Sequence, residues 1–182
     1  RNHTFPNKPS YSLIVTARRS QPATGKIGIE GVHVITTADQ RWQRRDIKSV
    51  SLLPNVLAKQ KAAEAGAFEA WLIHNDGIIT EGSHSNAWIV GDSGTVITHH
   101  ESIDILSGVT RNRVLQVARS DGVKVVERGF TAAEAKQAQE AFLTSTSSFV
   151  VPVTHIDDTV IGDGRPGPVT KRLRGLYLRT IS

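Results

Sequence analysis

Lys48 lies in a segment crowded with arginines and is the first residue whose chemistry could matter. Arg41, Arg44 and Arg45 precede it in the run RWQRRDIKS. A lysine that is partly desolvated and beside cationic groups can lose its proton and form an imine with a carbonyl compound. Because most lysines are solvated surface residues, this position by itself does not predict catalysis.

Three loops concentrate small polar residues and could bind an anion. They are EGSHSN at 81–86, SGVTR at 107–111 and TSTSS at 144–148. Hydroxyl groups and the backbone N–H groups at a helix start are suitable donors for a phosphate, and Gly108 would let the backbone approach it closely. Taken singly, each loop is more typical of a turn with a capping residue.

Other kinds of chemistry find little support in the sequence. There is no G-x-S-x-G elbow and no phosphate-binding P-loop. The absence of cysteine excludes disulfides and thiolate ligands. His99 and His100 are adjacent, so on a strand they would point to opposite faces and could not share a metal ion. We therefore expect no metal site.

The charge of the chain raises the question of a nucleic-acid partner. The net charge is +5, but the basic residues are scattered, and only 5% of residues are aromatic, which is poor for stacking on bases. No apolar run is long enough for a transmembrane helix, and no secretion leader is visible. We expect neither a nucleic acid nor a membrane as partner, and a cytoplasmic location.

The pattern predicts a domain boundary close to the start of the chain. Residues 12–17 (SLIVTA) are short, apolar and β-branched, which is typical of a buried strand. The charged, Pro- and Gly-containing residues 18–26 are typical of a linker. We predict that residues 1–23 end a small domain and connect it to a large domain at 24–182. Since the chain has no methionine and opens at Arg1, we expect a processed chain or a fragment.

The large domain is predicted to be of the α+β class. Residues 27–37 suggest a strand or bulged pair broken at Gly31, and hairpins are indicated around 75–77 and 91–94. Helices are predicted to begin near residues 53, 109, 131 and 168. In the first of these, Val56, Leu57 and Ala63 are expected on the buried side.

Several motifs in this order resemble the fold-type IV pyridoxal-phosphate enzymes. They are DIKS at 46–49 followed by LLPNV at 52–56, TEG and SN between 80 and 86, GVTR at 108–111, ST at 145–146 and PGPVT at 166–170. The resemblance implies a large domain with a mixed sheet or pseudo-barrel and flanking helices, plus the tail of a small α/β domain. It also implies pyridoxal 5'-phosphate as cofactor and a homodimer.

The resemblance also implies a role for each motif. Lys48 would bind the cofactor covalently and act as the catalytic base, and Glu81 would pair with the cofactor's ring nitrogen. Arg41 would help to orient the site. The residues expected to hold the phosphate are Val109, Thr110, Ser145 and Thr146.

The first residues narrow the resemblance to D-amino-acid aminotransferases. RNHTFP at 1–6 is similar to their R-x-H-x-F-P segment, in which the arginine and the histidine hold the substrate α-carboxylate. A guanidinium grips a carboxylate at two points, which suits that role. Arg1 and His3 are therefore predicted to bind substrate. The expected reaction moves the amino group of a D-amino acid, such as D-alanine, to a 2-oxo acid, such as 2-oxoglutarate.

Alternatives stay open at this point. Branched-chain L-amino-acid aminotransferases and aminodeoxychorismate lyases share the cofactor motifs. In a different class, the chain could be a non-catalytic fragment or binding module. The family's N-terminal segment, with a further phosphate-binding arginine and a pocket tyrosine, has no counterpart before Arg1.

Overall fold

One mixed sheet forms the centre of the fold in the computed structural model, which describes residues 3–19 and 25–181. The strands in chain order are β1 (Val32–Ala38), β2 (Glu69–Ile73), β3 (Ile78–Gly82), β4 (Asn86–Val90), β5 (Val96–Thr98), β6 (Val125–Glu127), β7 (Phe130–Thr131), β8 (Glu140–Ser145), β9 (Phe149–Ile156) and β10 (Thr159–Val160). Within the described residues they pair in the order β6-β5-β4-β8-β9-β1-β2-β3-β7, and β10 pairs with β9. Parallel pairs such as β1–β2 and antiparallel pairs such as β8–β9 occur in the same sheet.

The helices begin where the sequence supplies start signals. They are α1 (Lys26–Glu30), α2 (Leu53–Glu64), α3 (Val109–Ser120), α4 (Ala132–Lys136) and α5 (Pro168–Leu178). A proline lies in the first turn of α2, and the Thr131 hydroxyl at the start of α4 accepts a hydrogen bond from the Glu134 backbone N–H at 3.1 Å. Over the described ranges, none of the helices combines the length and apolar character that crossing a bilayer requires.

Buried aromatic residues anchor the core on both faces of the sheet. All five residues of β4 are buried, as expected for a central strand covered on both sides. On one face Trp71 meets Phe130 edge to face, and on the other Trp88 stacks on Phe142 with ring centroids 5.1 Å apart. Helices α3 and α5 cover the second face with buried apolar side chains such as Leu173. The aromatic contacts fix the sheet between its helical layers.

The two ends of the strand order come close together. β6 and β7 are the terminal strands of the order, yet only Arg128 and Gly129 separate them in sequence. Two residues span roughly 10 Å at most, so the sheet must curl until its edges approach each other. The predicted α+β fold with a mixed sheet and flanking helices is confirmed, and the curl gives the sheet its barrel-like shape.

Two local predictions were wrong in the large domain. Residues 27–30 belong to α1 rather than to a strand, because Gly31 takes a positive φ of 81° and ends a short helix there. In α2 the expected buried residues Val56, Leu57 and Ala63 are exposed, and Ala58 and Ala62 are buried instead. The small alanine side chains let α2 approach the sheet closely. The spacing of the large apolar residues had suggested that the opposite face of α2 is buried.

The predicted strand at residues 12–17 is also wrong. Residues 3–19 form neither helix nor strand, and Leu13, Ile14 and Val15 are more than 80% exposed. No neighbouring strand among the described residues pairs with this segment. An apolar, β-branched sequence forms a strand only where a partner supplies hydrogen bonds and buried surface. The domain division at residue 23 stays a prediction.

The start of α5 depends on a buried carboxylate. Glu140 accepts hydrogen bonds from the backbone N–H groups of Val169 at 2.9 Å and Thr170 at 2.7 Å. A β-carbon added to Gly167 would overlap with the Glu140 carboxyl group. The PGPVT motif therefore positions a helix start against Glu140.

We expect Gly167→Ala to lower the free energy of unfolding by about 1–3 kcal/mol, because the new methyl group displaces Glu140 from α5. Gly175→Ala, inside the same helix with open space around it, serves as control and should stabilise by up to about 1 kcal/mol. Urea unfolding measures both. Equal stability of Gly167→Ala and the parent chain would refute the capping role.

Candidate active site

Glu81 is the buried centre of the candidate site. It lies near the end of β3, and its side chain is 5% exposed. Asn86, also buried, begins β4 after a tight connection in which the Gly82 N–H donates to the Ser85 carbonyl at 2.6 Å. The connection turns the two strand ends toward each other, so the carboxylate and the amide face one another.

Arginines and aspartates surround Glu81 with charge. The Arg41 guanidinium donates to one oxygen of Glu81 and also to Asp39, with the second contact at 2.8 Å. Arg45 pairs with Asp39 at 3.1 Å and with Asp104 at 2.8 Å. Buried charges are tolerated only when they are paired. Arg41 therefore bridges two buried carboxylates and fixes Glu81 in place.

Asn86 and Leu106 supply the other donors to Glu81. The Asn86 amide donates to Glu81 Oε2 at 2.9 Å and to the Leu106 carbonyl at 2.9 Å. The Leu106 N–H donates to both oxygens of Glu81, at 3.2 and 3.1 Å. A β-carbon on Gly108 would overlap with Asn86 Oδ1. The absence of a side chain at Gly108 thus lets the loop before α3 close on Glu81.

The environment of Glu81 changes its proton affinity. Burial raises the pKa of Glu81 to about 7, against the attraction of Arg41 and the Leu106 N–H, which both favour the ionised form. Desolvation outweighs these contacts because water is excluded from the carboxylate. Near neutral pH this carboxyl group can take up or release a proton.

Lys48 and Glu81 line the same cavity, which has a volume of about 520 Å³. The Lys48 side chain is exposed, and the residue lies in the irregular segment after β1. The other lining residues include Arg41, Trp42, Arg45, Ile47, Asn55, Val56, Lys59, Ser83, His84 and Leu106. The cavity thus combines an amine, a buried carboxyl group and a mixed polar and apolar wall.

The arginines near Lys48 are paired with acids, whereas the sequence suggested that their positive charge acts on Lys48. Arg44 is paired with Asp46 at 2.9 Å, and Arg41 and Arg45 are paired with the carboxylates described above. Their charges are therefore largely compensated by neighbours. The suggestion that they act together on Lys48 does not follow from this geometry.

The predicted phosphate-binding residues flank Asn86 rather than line this cavity. Val109 and Thr110 begin α3, next to Gly108, and Thr110 is buried with a hydroxyl that has no hydrogen-bond partner. Ser145 is buried at the end of β8, where its hydroxyl accepts the Ser148 N–H at 3.2 Å, and Thr146 is exposed. In the sheet, Asn86 of β4 lies opposite Thr144 of β8. Both segments thus converge on Asn86, and their phosphate-binding role stays a prediction.

Of the two predicted substrate residues, His3 does not line the cavity. Arg1 lies outside the described residues, and His3 is exposed in segment 3–19. The reasoning on His99 and His100 was wrong in its premise. They follow the end of β5, and their rings stack with centroids 4.6 Å apart.

Several residues of the site were missed by the sequence analysis. Asp39 and Asn86 hold Arg41 and Glu81, and a second buried carboxylate, Glu69, contacts His84 on the cavity wall at 2.5 Å. Asn86 could have been noticed because it closes the TEG–SN motif. Asp39 and Glu69 had no signal, since isolated acidic residues are ordinarily solvated.

Comparison with known proteins places this geometry in a family. The family model described as "Amino-transferase class IV" matches residues 1–156. The chain belongs to the class IV aminotransferases. It is 40% identical over 182 residues to the D-alanine aminotransferase of Listeria innocua serovar 6a, covering all of this chain and 62% of that protein. It is 49% identical over 151 residues to the D-alanine aminotransferase of Bacillus licheniformis, covering 83% of this chain and 53% of that protein.

Solved structures of class IV aminotransferases share the fold. The branched-chain amino acid aminotransferase of Thermobaculum terrenum in its PLP form superimposes with a TM-score of 0.79 at 30% identity, over 84% of this chain and 52% of that chain. The branched-chain aminotransferase of Thermoproteus uzoniensis with norvaline gives 0.80 at 29% identity, over 87% and 54%. The chain spans between about half and three fifths of the length of the curated relatives that it matches.

The raised pKa of Glu81 predicts a pH-dependent stability difference. Glu81 contributes stability fully below its ordinary pKa of 4.5, and the contribution is lost as the pH rises through about 7. Between pH 5 and 8, the free energy of unfolding of the parent chain should fall by roughly 1–3 kcal/mol relative to that of Glu81→Gln, which cannot ionise.

Urea unfolding at a series of pH values measures this difference. Asp46→Asn, on an acid whose pKa is held low by Arg44, provides the comparison and should show no change across the same interval. A constant difference between the parent and Glu81→Gln would show that Glu81 does not titrate there.

Proposed function

We propose that this chain is the cofactor-binding part of an aminotransferase that moves the amino group of a D-amino acid to a 2-oxo acid. The observation that carries the proposal is the shared cavity of Lys48 and Glu81 in a class IV aminotransferase fold. The similarity to D-alanine aminotransferases, at 40% and 49% identity, supports a D-amino acid as donor. D-alanine and 2-oxoglutarate are the proposed pair.

The described residues fit pyridoxal 5'-phosphate in their chemistry. Glu81 offers a buried carboxyl group that suits a protonated ring nitrogen, and Lys48 offers an exposed amine in the same cavity. Near Asn86, the unpartnered buried hydroxyl of Thr110 is a donor that an anionic group would satisfy. When bound, the cofactor supplies an electron sink for the electrons of the substrate α-carbon.

Each residue then has a defined task. Lys48 would hold the cofactor covalently through its amine and, once that amine is released by the substrate, would move a proton at the substrate α-carbon. Glu81 would keep the ring nitrogen protonated, and Arg41 with Asn86 holds the Glu81 carboxyl group in a single orientation. The phosphate would be held by the hydroxyl groups of Thr110, Ser145 and Thr146 and by the backbone N–H groups of Val109 and Thr110 at the start of α3.

Substrate selection is assigned to the first residues of the chain. Arg1 and His3 are proposed to hold the α-carboxylate, on the similarity of RNHTFP to the D-amino-acid aminotransferase segment. The solved structures named above are branched-chain aminotransferases. For that reason a branched-chain L-amino-acid aminotransferase is the second candidate.

The proposal extends to the assembly and the location of the protein. A homodimer follows from the family resemblance and is supported by exposed apolar residues beside the cavity, such as Val50, Leu53 and Val56. Light scattering at a known concentration tests it. The cytoplasmic location, the absence of nucleic-acid and membrane partners, and the domain boundary at residue 23 are proposals of the same kind.

Lys48→Ala is expected to remove the near-visible absorption band that appears when the chain is mixed with pyridoxal 5'-phosphate, because no amine remains in position to bind it. Lys171→Ala, on the exposed side of α5, is the matched control and should keep the band. A band of normal intensity in Lys48→Ala would eliminate Lys48 as the attachment site.

The substrate class is tested by comparing D-alanine with L-leucine, each with 2-oxoglutarate as acceptor. We expect kcat/KM for D-alanine to exceed that for L-leucine by at least tenfold. The reverse order would identify the second candidate. Release of pyruvate and 4-aminobenzoate from aminodeoxychorismate would identify a lyase instead.

A further inference from the structure

A second buried carboxylate, Glu69, lies behind the wall of the cavity. Its side chain is 0% exposed. It accepts hydrogen bonds from the backbone N–H groups of Ala70 and Ser83, both at 3.1 Å, and from the hydroxyl groups of Ser83 and Ser85. His84 completes the set, with its Nδ1 at 2.5 Å from Glu69 Oε2. This number of donors is typical of an ionised carboxylate.

The charge of Glu69 needs a compensating cation. Burial raises the pKa of Glu69, but the contacts with His84 and Ser83 and the nearby charge of Lys59 outweigh it and bring the pKa below its ordinary value. The Lys59 ammonium group donates a hydrogen bond to the Phe68 carbonyl and lies 4.4 Å from the centroid of the Phe68 ring. Among the described residues, His84 is the group whose ring nitrogen directly contacts the Glu69 carboxylate.

The contact with Glu69 also fixes the orientation of His84. Because an ionised carboxylate only accepts, Nδ1 must carry the proton, and Nε2 is left for another partner. The His84 side chain is 38% exposed and lines the same cavity as Lys48. Among the described lining residues, Arg41 and Arg45 are paired with carboxylates, and the acid Glu81 is paired with Arg41. Lys48 and Lys59 are the described lining cations with no carboxylate in salt-bridge contact. This wall favours an anionic ligand.

We propose that His84, held by Glu69, binds the side-chain carboxylate of a dicarboxylic substrate in this cavity. The donors would be D-glutamate or D-aspartate, and the acceptor 2-oxoglutarate. With both ring nitrogens donating, one to Glu69 and one to the substrate, the ring carries a positive charge. The inference deepens the proposed function, on which it rests, by assigning a residue to the end of the substrate distant from the α-carbon.

The cofactor phosphate is a less suitable occupant of this position. The residues proposed to bind it, at the start of α3 and the end of β8, flank Asn86 and do not line the cavity wall formed by His84. A carboxylate of the substrate is therefore the anion that we assign to His84. Inorganic phosphate is therefore used as a competing ligand in the test.

The kinetic test compares His84→Gln with His74→Gln. His74 lies at the other end of the same hairpin, pairs with Asp76 at 3.3 Å and is 34% exposed, but does not line the cavity. For His84→Gln we expect the ratio of kcat/KM for D-glutamate to that for D-alanine to fall at least tenfold, since a charged hydrogen bond to the side chain is lost. His74→Gln should leave the ratio unchanged. An unchanged ratio in His84→Gln would overturn the proposal.

A binding test needs no turnover and so separates this inference from the proposed function. Glutarate, a dicarboxylate without an amino group, is titrated into the chain while ¹⁵N shifts of His84 are recorded. We expect both ring nitrogens to be protonated at saturation and the affinity to fall about tenfold in His84→Gln. If only inorganic phosphate shifts His84, or neither ligand does, the carboxylate assignment is wrong. Glutarate binding without transamination would leave the inference standing and remove the proposed reaction.

Discussion

The contact between Arg41 and Glu81 is the interaction on which the candidate site depends. It joins the irregular segment that carries Lys48 to the end of β3, two parts of the chain that are 40 residues apart. Asp39 keeps the guanidinium in position from the other side, so Arg41 has little freedom to turn away. Without this pair, a buried carboxylate would lack its cation, and the segment with Lys48 would lose a connection to the sheet.

The short hairpin connections give the fold two buried carboxylates with opposite properties. Glu69 is surrounded by donors and a histidine, which favour its ionised form, whereas Glu81 is dominated by the loss of water, which favours its neutral form. Both lie at the ends of neighbouring strands, Glu81 in the lining of the cavity and Glu69 behind its wall. The same residue type therefore provides a fixed negative charge at one position and a group that can exchange a proton at the other.

Much of the fold was predictable because local signals are strong where hairpins and helix starts occur. The turn at Asn75–Gly77 and the cap at Thr131 act within a few residues, so their effect can be read from sequence. The curl of the sheet and the buried alanine face of α2 depend on distant partners. The strand expected at 12–17 failed for the same reason, since pairing is not a property of the segment itself. The site follows the same division. Lys48, Glu81 and Arg41 were predicted from the family resemblance, and all three line one cavity. Asp39 and Glu69 act through contacts that form only in the folded chain, and an isolated acid gives no sign of such contacts in the sequence. His84 belongs to a loop that was interpreted as a source of hydroxyl groups, and its contact with Glu69 becomes visible only when β2 and β3 pair.

The two-residue link between β6 and β7 has a consequence for how the sheet behaves toward other molecules. An exposed sheet edge offers unpaired backbone groups to another chain and promotes aggregation. Here both terminal strands are short and belong to one stretch of chain, residues 125–131, so a single segment supplies both edge strands. Arg128 is exposed and Gly129 is partly exposed. Cutting the chain between them would remove the covalent link that keeps the two edge strands close together.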